Sequence, residues 1–168
     1  KDMLIAVTGF SSQLDPLSID APFLTVPGPR VVIRNELYII GGIVKTGGKA
    51  SSGVFEKMKT MFATEAEAKE ALHPFVSVYS LSESPPRFVK AIPIPTGVPL
   101  FAQGVAGDGQ TFIYIAGGQE KLNCRKGSRA TFKFDVTTNE FTRLGDLPHR
   151  LQGNALAYLP QARKLHSF

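Results

Sequence analysis

The chain has 168 residues, 43% of them hydrophobic and 20% charged, with a formal net charge of +5. These values describe one globular domain with a sizeable core and exclude wholesale disorder. No run approaches the roughly 18–20 apolar residues that a membrane-spanning helix needs.

The charge is uneven. Residues 1–118 hold ten basic and ten acidic side chains, whereas residues 119–168 hold nine basic against four acidic. A basic final third can mark an acidic partner, but its Lys and Arg lack interleaved aromatics, so no strong nucleic-acid signal is present.

In chain order the first element is "MLIAVTGF" (Met3–Phe10). It is too short for a signal peptide, and Asp2 stands where positive charge belongs. It reads as the tail of a repeat unit, residues 1–29, and with no initiating Met a longer parent chain is expected. Next comes "ELYIIGG" (Glu36–Gly42), a buried strand that stops at two glycines. "FVSVYSL" (Phe75–Leu81), a "SESPP" turn, "RFVKA" and "IPIP" complete a unit over 30–97. "FIYIAGG" (Phe112–Gly118) then restarts the pattern, followed by a basic loop, the alternating strand "ATFKFDV", the turn "TTNE" and "FTRL", a unit over 98–148. Residues 149–168 begin one more. Phe88 precedes Phe141 by 53 residues, and Pro95 precedes Pro148 by the same 53. Gln103–Gly104 match Gln152–Gly153 at a separation of 49.

One interval is too long. From Gly42 to Phe88 is 46 residues, against 23 from Gly118 to Phe141. The excess falls in residues 43–74. Val54, Phe55, Met58, Met61 and Phe62 recur at helical spacing, Thr64 and Glu67 form a capping box, and Pro74 stops the run. The spacing predicts a helical insertion at about 54–73, hung between a second and a third strand.

Four short strands per unit at a period near 50 residues are the sequence pattern of a propeller blade. The stretches "ELYIIGG … FVSVYSL … RFVKAIPIP" and "TFIYIAGG … TFKFDVTTNEFTRLGDLPHR" resemble the kelch-repeat β-propeller family. The resemblance implies an all-β fold with about three blades visible, part of a larger propeller, the missing strands coming from the same or another chain. It implies that Gly41, Gly42, Gly117 and Gly118 end second strands, with Tyr79, Phe88, Phe134 and Phe141 as aromatic packers against them. The chain contains no Trp, and Phe88 and Phe141 stand where the family typically has it.

Chemistry is harder to find. "GGIVKTGGKASSG" lacks phosphate-loop spacing, because Ile43 stands where the first Gly belongs and Ala50 follows Lys49. His73, His149 and His166 lack metal-ligand spacing, so no metal or cofactor is expected. Cys124 has no nearby His to activate it; as a lone cysteine it forms no internal disulfide and fits a reducing, intracellular compartment. Arg30, Gln103, Arg150, Gln152 and Asn154 fall at or near the starts of the innermost strands, where they either line a channel mouth or satisfy strand ends. The expected function is a soluble protein-binding or scaffold module. The alternative is a sugar-acting enzyme resembling the sialic acid epimerase (mutarotase) branch of kelch propellers, which carries a helical insertion soon after a glycine pair.

Overall fold

Runs of Val, Ile and aromatic residues at every second position build pleated sheets that bury both faces. The structure, a computed structural model, describes residues 24–45, 70–122 and 126–168. In chain order its strands are β1 (Leu24–Pro27), β2 (Arg30–Ile33), β3 (Glu36–Ile40), β4 (Gly42–Lys45), β5 (Glu70–Leu72), β6 (Phe75–Ser80) and β7 (Arg87–Pro93). These are followed by β8 (Gly104–Gly107), β9 (Phe112–Ala116), β10 (Thr131–Asp135), β11 (Glu140–Arg143), β12 (Leu156–Leu159) and β13 (Lys164–Ser167). Among the described residues there is no helix, and none long and apolar enough to cross a membrane. The fold is all-β.

Two antiparallel sheets have four strands each, in the order β2-β3-β6-β7 and β8-β9-β10-β11. The hairpin β12-β13 starts a third, and β1-β4-β5 form a separate three-stranded sheet. The first two sheets pack face to face. Tyr38, Ile40, Val76, Val78 and Ile92 project from one onto Ile113, Ile115, Phe132 and Phe134 of the other. Each such side chain, fully buried, contributes about 1.5–3 kcal/mol. The Tyr38 and Phe134 rings meet edge-on across this interface, 6.3 Å apart. On the far face of the second sheet, Tyr114 stacks on Tyr158 of β12 at 5.1 Å. The first strand of each sheet touches the first strand of the next, β2 on β8 and β8 on β12. Sheets laid face to face with converging first strands are consistent with the blades of a β-propeller fragment.

Within each large sheet an aromatic pair joins the third and fourth strands. Tyr79 stands opposite Phe88 and Phe134 opposite Phe141, with ring centroids 5.5 Å and 4.6 Å apart. Tyr79 and Phe134 are buried, while Phe88 is 46% exposed. These rings do not lie against the glycine pairs, as the resemblance implied. What approaches Gly41 and Gly118 is largely backbone, while Gly117 also meets the Asn154 side chain. A Cβ on Gly41 would overlap the Leu100 carbonyl oxygen, and one on Gly118 would stand 2.6–2.8 Å from the Cβ, Cα and N of Gln103.

The predicted helix needs correction at its end. Glu70–Leu72 form β5, paired with β4. Ile43 and Val44, buried in β4, supply apolar strand partners for Leu72 and Ala71, and that tertiary pairing overrides the helical propensity of "EAEAKEAL". The rest of the predicted insertion, and Cys124, lie outside the described residues. β1 also pairs with β4, which joins the end of the first predicted unit to the excursion.

All four paired glycines have left-handed backbone, φ 64° and 115° at Gly41 and Gly42 and 68° and 89° at Gly117 and Gly118. A side chain at Gly41 or Gly118 meets both strain and the close backbone contact. Gly118→Val should therefore destabilise by on the order of 3 kcal/mol, against roughly 1 kcal/mol for strand propensity alone. Gly145→Ala, where nothing lies within 4 Å of the added carbon, should stay within about 0.5 kcal/mol. Urea melts of the two variants check this; equal midpoints would remove the argument.

Candidate functional site

Because the strands alternate direction, the ends of β3 and β9 and the beginnings of β2, β8 and β12 share one end of the stack. That end carries the glycine pairs, the β4–β5 excursion and all five polar candidates. The opposite end is made of tight turns in which carboxylates serve the backbone. Asp108 accepts from the N–H groups of Gln110, Thr111 and Phe112, and Asp135 accepts from those of Thr137 and Thr138. Burial works against the Asp108 carboxylate, but the three backbone donors together hold its pKa below the ordinary value.

At the glycine-pair end a second-strand turn is closed by the segment that enters the next sheet. Gly42 N–H donates to the Leu100 carbonyl at 2.8 Å, and Gly118 N–H donates to the Leu151 carbonyl at 2.8 Å. The residues two further on, Ala102 and Gly153, both have positive φ. Equivalent positions are thus 51 residues apart, and Gln103 matches Asn154. The sequence alignment of Gln103–Gly104 with Gln152–Gly153 is out by two places, because it followed the shared Gln–Gly letters rather than the turn.

The five candidates separate by what holds them. Gln103 is 4% exposed, and its side-chain amide donates to the Ile40 carbonyl at 3.0 Å, clipping the second sheet to the first. Asn154 donates to Ser167 Oγ at 3.0 Å, and its Oδ1 faces Gly117. Gln152 accepts from Gln119 at 2.6 Å. Arg150 donates from Nη1 to the Gly127 carbonyl at 3.3 Å. Arg30 is exposed at the start of β2. The same end gathers them, but Gln103 joins the first two sheets, Arg150 and Gln152 tie the segment entering β12 to the loop after β9, and Asn154 bonds within the last hairpin unit. Among the described residues no group of three or more His, Cys, Asp or Glu could hold a metal ion.

A pair that spacing alone did not single out is His73 and Ser77, with Nε2 and Oγ 3.2 Å apart. Their separation of four residues across the start of β6 was the available signal, since even spacing puts both on one face of a strand. Both are buried, and the His73 ring packs on Phe75 at 5.4 Å. His73 Nδ1 has no hydrogen-bond partner. Among the described residues no acid bonds to the imidazole, and burial leaves the pair little access from solvent, so these residues show no third member of the kind that activates a Ser nucleophile.

A solved structure of YjhT is similar to this chain, with a TM-score of 0.53 and 15% identity over 78% of the chain. The chain spans 40% of the length of that protein. No protein-family model and no curated protein matches the sequence. At this identity the likeness concerns the fold.

Burial lowers the His73 pKa from 6.5 to about 4. The unfolded chain takes up a proton near pH 6.5 that the folded chain refuses until about pH 4, so stability falls as pH drops through that window. The loss reaches roughly 3 kcal/mol at its lower edge and vanishes above neutrality. A His73→Leu variant should lose this slope. Urea midpoints at pH 7.5 and pH 4.5 for both proteins check it, and parallel declines would show that His73 is not the group responsible.

Proposed function

We propose that the chain is part of a kelch-type β-propeller that works as a protein-binding or scaffold module through the glycine-pair end of its blades. The blade units are residues 30–97 and 98–148, flanked by partial units in 1–29 and 149–168, with further blades from the same or another chain. The observation that carries the reading is the use of the polar side chains there. Gln103, Arg150, Gln152 and Asn154 hold hydrogen bonds within the protein, so the end presents a set surface rather than groups poised to move protons. Rigid loops on a β scaffold suit recognition.

A second reading, a sugar-acting enzyme of the sialic acid epimerase type, has one observation in its favour. The excursion between β3 and β6 leaves immediately after a glycine pair, where that branch of the family carries its insertion. The two readings differ in one measurement. Substoichiometric protein added to freshly dissolved α-anomeric N-acetylneuraminic acid, followed by proton NMR, should leave the rate of anomer interconversion at its buffer value. Acceleration beyond that of heat-denatured protein would replace the binding reading with the enzymatic one.

A further inference from the structure

The loop between β9 and β10 and the segment after β11 are zipped together at the glycine-pair end. Ser128 and Leu151 exchange both backbone hydrogen bonds, Leu147 N–H donates to the Arg129 carbonyl, and Leu144 N–H donates to the Thr131 carbonyl. The Thr131 hydroxyl also donates to the Gly145 carbonyl. The result is a two-stranded ledge outside the main sheets. Over residues 126–131 and 143–151 the exposed cations are Lys126, Arg129, Arg143 and Arg150 and the one acid is Asp146, while Glu120 and Lys121 stand as an exposed pair earlier in the same loop.

The arginines of this ledge are held in place with donors to spare. Arg129 donates from Nε to the Leu147 carbonyl at 2.6 Å, Arg150 from Nη1 to the Gly127 carbonyl, and Arg143 from Nη2 to Asp146 at 2.8 Å. A guanidinium has five N–H donors, so each bond fixes the group while leaving others directed at solvent. Asp146 is already shared. The hydrogen bond from Arg143, with the charges of Arg143 and Arg129, holds its carboxyl below the usual range. The cations therefore exceed what the ledge itself neutralises, whereas the opposite end of the sheets mixes acids at Glu36, Glu83, Asp108, Asp135 and Glu140 with cations at Arg34, Arg87, Arg163 and Lys164.

We infer that this ledge docks an acidic, extended segment of a partner protein, with the Lys126, Arg129 and Arg150 side chains pairing its carboxylates. The inference rests on the binding-module reading and adds the chemistry of the partner. Charge and the engaged backbone select the occupant. The exposed cations of the paired stretch outnumber its acid, which favours a segment carrying several carboxylates. The N–H groups at Ser128, Ala130, Leu144, Leu147 and Leu151 are engaged within the protein, which leaves the Lys and Arg side chains to supply the ionic contacts. The aromatics of the second sheet, Phe132 and Phe134, are buried in the core, which leaves nothing from them on which nucleic-acid bases could stack.

The test uses the 168-residue chain and a fluorescein-labelled ten-residue polyglutamate peptide, read by anisotropy at low ionic strength. Saturable binding is expected, weakening as salt rises. Lys126→Glu with Arg150→Glu should weaken it at least tenfold, and Lys126→Glu alone, at an exposed side chain, should weaken it measurably even if the double variant misfolds. Arg163→Glu with Lys164→Glu, the same charge change at the opposite end, should change it less than twofold. Equal losses for both double variants would reduce the effect to net charge and overturn the inference. So would absence of peptide binding, or tighter binding of an oligothymidylate or of inorganic phosphate. Accelerated anomer interconversion would instead overturn the binding-module reading, and is measured without the peptide.

Discussion

Each glycine pair turns the chain through a left-handed backbone that brings its N–H onto a carbonyl of the segment entering the next sheet, and the rest of the arrangement follows from that contact. Gly42 reaches Leu100 and Gly118 reaches Leu151. The second strand of each large sheet must end there, because a side chain at Gly41 or Gly118 would occupy the space of that segment's backbone. The entering segment is fixed in turn, and it delivers the next first strand alongside the previous one. Gln103 adds a buried amide to the same junction. A net contribution of about 1 kcal/mol per hydrogen bond is modest, but breaking one would strand a buried polar group and cost more than the bond supplies.

The apolar contacts are less particular. Tyr38, Val78, Ile113 and Phe134 fill the space between the first two sheets, and many combinations of similar volume would do the same. The glycine junctions set the order and spacing of sheets, while the core supplies most of the stabilisation. Polar side chains at the junction end are mostly spent on holding it together. Among the described residues of that end, the arginines keep donors directed at solvent.

Much of the strand order was legible in the sequence because alternation and turn residues act locally. The stretch "FKFD" announces β10, and the 53-residue step from Phe88 to Phe141 reports the matching cross-strand pairs Tyr79–Phe88 and Phe134–Phe141. What the glycines accommodate was not legible, since a carbonyl from Leu100 has no signature in the letters around Gly41. The strand at Glu70–Leu72 was read as helix for a similar reason: Ala, Glu and Lys favour a helix locally, and only the long-range partner β4 decides otherwise. The five polar residues named from the sequence share one end of the sheets, but what each side chain bonds to was not legible. Gln103 and Gln152 look alike in sequence, yet one is a buried clip and the other an exposed partner of Gln119.

The junctions also impose an order of events on a chain made from its N-terminus. Gly42 finds its carbonyl partner 58 residues later, at Leu100, and Gly118 finds its partner 33 residues later, at Leu151. During synthesis the turn of each sheet therefore stays open until the beginning of its successor has left the ribosome. At a translation rate of about 5–20 residues per second, the first junction waits roughly 3–12 seconds for its partner. Throughout that interval the newest sheet always has one unfinished edge, and a pause in translation between Gly42 and Leu100 would lengthen the exposure of the face that Tyr38 and Val78 later share with the second sheet.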